Sequence, residues 1–209
     1  PAARPGRSIR PSRNQGSGPR SKVSAPLAER SDADVVALAL TGQQDAFREL
    51  LARYREPVFR LIRASTGDAQ EALDLTQDTF IAAFGALRRF DRSQPLLPWL
   101  RRIALNKCRD WGRRRKVRQF FTWARPLEDA YDVADGAQDP EAALASTNEV
   151  ARIRTALANL PASLKDPLIL CTMEGHSQDE AAAVLGISRK AVEVRIHRAR
   201  QKLSVLLEG

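Results

Sequence analysis

The chain has 209 residues, 43% of them hydrophobic, enough for one large or two small domains with an adequate core. Its formal net charge of +9 implies an anionic partner, nucleic acid or a membrane surface, yet no apolar run approaches the roughly 20 residues that span a bilayer and no secretory signal is evident. Two cysteines (Cys108, Cys171), two histidines (His176, His197), no glycine-rich phosphate loop and no Cys/His set at zinc spacing argue against an enzyme and against a metal or cofactor, and favour a reducing cytoplasm.

Residues 1–30 are rich in Pro, Gly, Ser and Arg without an apolar period, and read as a disordered basic tail. Structure is expected from Ser31, which caps a first helix carrying Val35, Val36, Ala39 and Leu40 and ended by Gly42. A longer helix from about Asp45 presents Phe47, Leu50, Leu51, Tyr54, Val58, Leu61 and Ile62 as a core face. Pro57 inside it is expected to kink it or remove a hydrogen bond. A third helix starts near Asp68, where Asp68 and Glu71 form a capping-box-like pair. Its Leu73, Phe80, Phe84 and Leu87 point to the core, leaving Asp74, Gln77 and Asp78 exposed. By themselves those polar residues read as ordinary solubilising groups.

The connector from Phe90 to Pro98 contains two prolines, the second placed to start the next helix at Trp99. At about 3.6 residues per turn, the segment Pro98 to Arg115 sets Trp99, Arg102, Asn106, Arg109 and Arg113 on one stripe and Leu100, Ile103, Ala104, Cys108 and Trp111 on another. The apolar stripe can dock on a core. The polar one suits single-stranded nucleic acid: cations follow phosphates, a ring stacks on an unpaired base, an amide reads a base edge. A solvated basic helix with a packing tryptophan accounts for the stripe equally well. Between Arg88 and Arg118 twelve basic residues face only Asp91 and Asp110, so the whole excess charge can be assigned to one segment, the footprint of phosphate binding.

Composition then inverts: from Leu127 to Glu149 there are seven acidic residues and no Lys or Arg. Residues 117–140 are read as a flexible acidic linker in which Phe120, Phe121 and Trp123 are the only features that might dock. A second domain over 141–209 reads as four helices. The first, Glu141 to Asn159, carries Leu144, Ile153 and Leu157. The next begins near Ser163, carries Leu164, Leu168, Ile169 and Met173, and closes at Gly175. Ser177-Gln-Asp-Glu180 is a capping box for a short helix; Gly186-Ile187 turns; Ser188 caps a last helix whose buried stripe is Val192, Ile196, Ala199 and Leu203. Opposite stand Arg189, Lys190, Glu193, His197 and Arg200. This is a helix-turn-helix pattern, whose second helix enters the major groove; an αα-hairpin with a solvated last helix is the alternative. The chain is thus expected to be all-α, with small helical domains at 31–116 and 141–209.

The motifs Asp74-Leu-Thr-Gln-Asp-Thr-Phe80, then Phe90 followed eight residues later by Pro-Trp-Leu-Arg-Arg-Ile-Ala-Leu-Asn106, the arginine run, and Glu174-Gly-His-Ser-Gln-Asp-Glu-Ala-Ala-Ala-Val-Leu-Gly186 leading to Arg195-Ile-His-Arg-Ala-Arg200 resemble, in that order, the extracytoplasmic-function group of bacterial sigma-70 family factors. The resemblance implies a sigma region 2 bundle and a sigma region 4 helix-turn-helix domain. Asp74, Gln77 and Asp78 would grip the β′ clamp helices of core RNA polymerase. Phe90, Asp91, Arg92, Ser93 and Gln94 would form a pocket for a flipped base of the −10 promoter element, with Asn106 and Trp99 on the same surface and Arg102, Arg109 and Arg113 on phosphates. Ser188, Arg189, Lys190, Glu193, Arg195, His197, Arg198 and Arg200 would meet the −35 element, and the apolar side of that domain the β flap. Glu193, where the group often has a basic residue, would repel phosphate or accept a bond from cytosine N4. Promoter DNA, core polymerase and an anti-sigma factor are the implied partners. A stand-alone helix-turn-helix regulator is the competing function; it has no need of an acidic face beside single-strand readers.

Overall fold

The Ser31 hydroxyl accepts from the Asp34 N–H at 3.2 Å and opens α1, Asp32–Leu40. In the computed structural model, which describes residues 26–123 and 146–208, seven more helices follow: α2 (Gln44–Thr66), α3 (Ala69–Ala86), α4 (Leu96–Trp123), α5 (Ser146–Asn159), α6 (Ala162–Thr172), α7 (Gln178–Leu185) and α8 (Arg189–Glu208). The described residues form no strand, as expected of an all-α chain. The tail up to residue 25, residues 124–145 with Leu144 among them, and the side chains of Phe120, Phe121 and Trp123 lie outside the described residues.

In the N-terminal half α2 is the hub, packed on α1, α3 and α4. Leu50, Val58, Leu61 and Ile62 of α2 meet Val35 and Val36 of α1 and Leu100, Ala104 and Leu105 of α4 in one core, where each large aliphatic side chain stabilises the fold by about 1.5–3 kcal/mol. The helix runs straight on in sequence through Pro57; the missing N–H leaves the Arg53 carbonyl without its helical donor. Arg53 instead ties down what precedes α1, donating to the Leu27 carbonyl at 2.6 Å, to Asp32 at 2.9 Å and to Glu49 at 2.7 Å, while the Tyr54 hydroxyl donates to Asp32.

Several expected faces turn out differently. Leu73 is 43% exposed and Leu51 38%, because the face of α3 that crosses α2 is built from Ala72, Leu75, Thr76, Thr79, Phe80 and Ala83. Small and β-branched residues allow close approach there. Thr76 and Thr79 return their hydroxyls to the Ala72 and Leu75 carbonyls, both at 2.6 Å, so they sit in an apolar interior without orphaned polar atoms. In the C-terminal half Ile153 and Met173 are likewise exposed rather than core; Leu157, Leu160, Leu168, Ile169 and Leu170 fill that interior with Val192, Ile196 and Ala199. Helix α4 starts at Leu96, before Pro98 rather than after it, since Pro98 falls in the first turn where no N–H is needed. It also continues to Trp123, so residues 117–123 are helical.

The helix-turn-helix forms as its local signals require. Ser177 accepts from the Glu180 N–H at 3.2 Å while Glu180 accepts from the Ser177 N–H at 2.8 Å, a complete capping box. Gly186 ends α7 at φ 68°, a left-handed position that suits glycine. Ser177→Ala removes the hydroxyl that accepts from the Glu180 N–H while keeping the backbone N–H that donates to Glu180, and is expected to cost about 1 kcal/mol, seen as a melting temperature about 4–8 °C lower for a unit of this size with the helical circular dichroism of the folded state unchanged.

Candidate nucleic-acid interface

Helix α4 divides its residues by face. Leu100, Ala104, Leu105 and Cys108 are buried in the N-terminal core; burial pushes the Cys108 thiol up to about 12, so it packs as a hydrophobe rather than reacting. Ahead of the helix, Phe90 is buried and its ring lies 5.0 Å from that of Trp99 at 45°. The half-buried Trp99 is thereby a packing residue against the loop base. Asp91 accepts from the Ser93 N–H at 2.9 Å and the Ser93 hydroxyl at 2.7 Å, which holds its carboxyl below the usual range. The Gln94 N–H closes the turn on the Asp91 carbonyl at 3.0 Å. A fixed turn therefore presents Arg92, Ser93 and Gln94 to solvent, with Phe90 supporting it from below.

The polar stripe of α4 faces the C-terminal half. Asn106 is exposed and accepts from Arg109 at 3.1 Å; Arg113 pairs with Asp110 on its own helix. Arg109 also grips Asp166 of α6 through Nε at 2.8 Å and Nη2 at 2.7 Å, and that carboxylate is only 1% exposed. Arg102 donates to the Val184 carbonyl at 3.0 Å and the Ala183 carbonyl at 2.6 Å, acceptors that the end of α7 leaves free. A small cleft remains between Arg102, Leu105, Asn106 and Arg109 and the Val184 to Gly186 turn.

Two further contacts complete the seam. Arg101, 7% exposed, donates to Glu174 at 2.6 Å and meets His176 Nε2. Lys165 reaches across to the Ser65 carbonyl at 2.6 Å, at the negative end of α2, and bonds the Ala158 carbonyl of α5 at 3.1 Å. Burial lowers the Lys165 pKa against the pull of Asp166, and raises that of Asp166 against the pull of Arg109 and Lys165. Gly67 allows α5 to come close: a Cβ there would stand 3.2 Å from the Ala158 Cβ. Sequence reasoning missed Arg101, Lys165, Asp166 and Glu174. Their one mark was the pair Lys165-Asp166 inside an otherwise apolar helix.

On α8, Arg189, Lys190, Glu193, His197, Arg198 and Arg200 are exposed, with Ser188 just before it, and Arg195 is half-buried. Ser188 caps the helix by accepting from the Ala191 N–H at 3.2 Å. Lys190 pairs with Glu193 at 3.0 Å, which neutralises the carboxylate that stood out among these cations. Asp74, Gln77 and Asp78 are exposed on α3. Beside them an open groove is lined by Arg48, Leu51, Ala52, Arg55, Glu56, Phe59 and Leu73, so the acidic face has an apolar border that sequence reasoning had assigned to the core.

The family model for Sigma-70 region 2 matches residues 50–118, and that for Sigma-70, region 4, matches residues 151–203. The chain is 43% identical to the RNA polymerase sigma factor CnrH of Cupriavidus metallidurans over 184 residues, covering 87% of this chain and 96% of that one. It is 33% identical to the ECF RNA polymerase sigma factor SigM of Mycobacterium tuberculosis, covering 86% of each. Among solved structures, CnrH in complex with the cytosolic domain of CnrY aligns with a TM-score of 0.60 at 37% identity, over 85% of this chain and 97% of that one. The sigma factor RpoE of Bartonella quintana, in complex with the anti-sigma factor NepR, shares the fold at a TM-score of 0.57 and 24% identity.

His176 gives the seam a pH dependence. Arg101 donates to its Nε2, so the ring is neutral with the proton on Nδ1, which faces Glu180 at 3.7 Å. Burial, then Arg101, lowers its pKa below the ordinary 6.5, against the pull of Glu180 and Glu174. The group binds a proton more readily once exposed, so the contact is at full strength above about 6.5 and weakens as pH falls below it. Thermal unfolding compared at about pH 7.5 and 5.5 should show a drop in the wild type that His176→Gln reduces; an equal drop in both would assign the effect elsewhere.

Proposed function

The chain belongs to the sigma-70 family, in its extracytoplasmic-function group, and on that premise we propose how its residues share the work of an RNA polymerase sigma factor. It binds core polymerase, recognises the −35 and −10 promoter elements and promotes melting of the duplex for initiation, and it is a DNA-binding initiation factor rather than an enzyme. The N-terminal half acts as region 2 and the C-terminal half as region 4, joined by the chain between α4 and α5. Among the described residues no helix is long and apolar enough to cross a membrane; the site of action is the bacterial cytoplasm, where polymerase and promoter are.

The observation that carries the division of labour is the two-faced α4. Its apolar side is fixed in the core and its other side lines Arg102, Asn106, Arg109 and Arg113 along one stripe beside the locked Phe90 to Gln94 turn. Melting exposes bases, and a rigid turn next to an amide and guanidinium groups captures one outside the stack, reading sequence while it traps the open duplex. Asn106 is the base reader, Arg92, Ser93 and Gln94 the pocket rim, Phe90 and Trp99 its support, and the arginines the phosphate contacts. On α8 the exposed Arg189, Lys190, His197, Arg198 and Arg200, together with Ser188, Glu193 and Arg195, meet the −35 duplex. The apolar side of that half meets the β flap. Asp74, Gln77 and Asp78, with the adjoining apolar groove, bind the β′ clamp helices. An anti-sigma factor holds the chain when its genes are silent, as the relatives of known structure are held by theirs.

The test is transcription by purified core polymerase over a promoter library with and without the chain. Asn106→Ala is expected to lose about 1–3 kcal/mol of discrimination at a single melted base; an equal loss on all promoter variants would make Asn106 structural. Asp74→Arg should weaken binding to core polymerase at least about tenfold with the fold intact, since it sets a cation into an exposed acidic face, and unchanged binding would return that face to solubility alone.

A further inference from the structure

An apolar side chain interrupts the charged face of α8. Val194 is 36% exposed and stands among Lys190, Glu193, His197 and Arg198, which are exposed with it. Val205 and Leu206, exposed on the same helix, lie about three turns away, so Val194 belongs to no apolar patch that a protein partner would cover. Its position on the helix gives it weight. Lys190, Val194, His197 and Gln201, at steps of four, three and four, run along one line of the exposed surface, opposite the buried Val192, Ile196 and Ala199. That line is the crest that reaches furthest when a recognition helix enters the major groove. The charged groups near its start are held in place, Lys190 by Glu193 at 3.0 Å and Arg189 by Asp179 of α7 at 3.6 Å. Valine is also a poorer helix former than alanine, so a position that met only water would gain nothing from it.

We propose that Val194 is a specificity residue for the −35 element: it packs on the C5 methyl group of one thymine in the major groove and sets a preference for a T·A pair at that position. This rests on the reading of α8 as the −35 helix. The thymine methyl is the apolar feature that base pairs show in the major groove, the rest being hydrogen-bond donors and acceptors, so an apolar side chain on the crest has one thing to read there. A lysine or arginine in its place would seek guanine or phosphate instead. Lys190 and His197 are seven residues apart, about 10 Å along the helix axis and roughly three base pairs of rise. Val194 lies between them and faces a central pair of the element, with the Lys190 ammonium to one side and the His197 ring to the other. Uracil or cytosine at that pair brings no methyl group and loses the contact.

The test removes the methyl group and nothing else. Core polymerase carrying the chain selects its −35 duplex from a promoter library, and each thymine of that duplex is then replaced singly by deoxyuridine. Equilibrium binding is measured for the wild type and for Val194→Ser, an exposed substitution between residues of similar helix propensity. The expected result is one thymine at which deoxyuridine weakens wild-type binding about three- to fourfold, the effect of one buried methyl group, while Val194→Ser binds the two duplexes within about 1.5-fold of each other. At the same position 5-methylcytosine paired with guanine should bind the wild type more tightly than cytosine does, a difference that Val194→Ser abolishes. Two results would overturn the inference: a selected element in which no thymine methyl matters, or a methyl effect that persists in Val194→Ser. In either case Lys190→Ala combined with Arg198→Ala separates the causes. If that double variant loses duplex affinity, α8 remains the −35 helix and only the role of Val194 fails; if its affinity is unchanged, the reading of α8 fails as well.

Discussion

Helix α4 carries more guanidinium groups on one side than any single partner can use, and where those groups find oxygen decides the arrangement of the whole chain. Arg101 and Arg109 find carboxylates and Arg102 finds helix-end carbonyls, all in the other half. Buried ion pairs of this type are close to neutral in net free energy, because desolvating two charges consumes most of what their attraction returns, although deleting one partner alone costs roughly 3–5 kcal/mol. The seam is therefore specific without being strong. Arg101 Nε and Asp166 Oδ1 are buried with no protein partner, which lowers the net gain from closure further.

The apolar side of the same helix answers the opposite need. Leu100, Ala104, Leu105 and Cys108 fix α4 against α2, and the Phe90 and Trp99 rings seal the entry to it. With its backbone so anchored, the helix keeps one shape whether its polar side faces protein or nucleic acid, and the Asp91 to Gln94 turn keeps its own shape through bonds internal to the loop. Both the helix and the loop are thus fixed on the N-terminal core independently of the contact with the C-terminal half. His176 beside Arg101, and Lys165 at the end of α2, sit on the boundary between the halves.

The all-α class, the helix order and the caps at Ser31, Ser177 and Ser188 were legible in the sequence, because capping and apolar period are local signals and the local bonds formed as those signals require. The core face of α3 was not, because Thr76, Thr79 and Ala83 occupy it in place of Leu73. Counting large apolar residues overlooks a crossing made close by small ones. The start of α4 was misplaced by giving Pro98 the role of a helix opener, when a proline is equally at home later in the first turn. The two-sided character of α4 was legible from its stripes. What occupies its polar side was not, since the partners Asp166, Glu174 and the α7 carbonyls lie more than fifty residues away and a carbonyl leaves no trace in sequence.

The two halves that meet at the seam are parts of one polypeptide, joined through residues 124–145. Closure is thus a unimolecular event. Diluting the chain does not open it, and making more of it does not close it. Any molecule that displaces the C-terminal half competes against a tethered rival whose local concentration for such modules is on the order of millimolar. A weak, nearly neutral contact is sufficient under those terms, because the equilibrium between two tethered halves does not depend on the concentration of the chain.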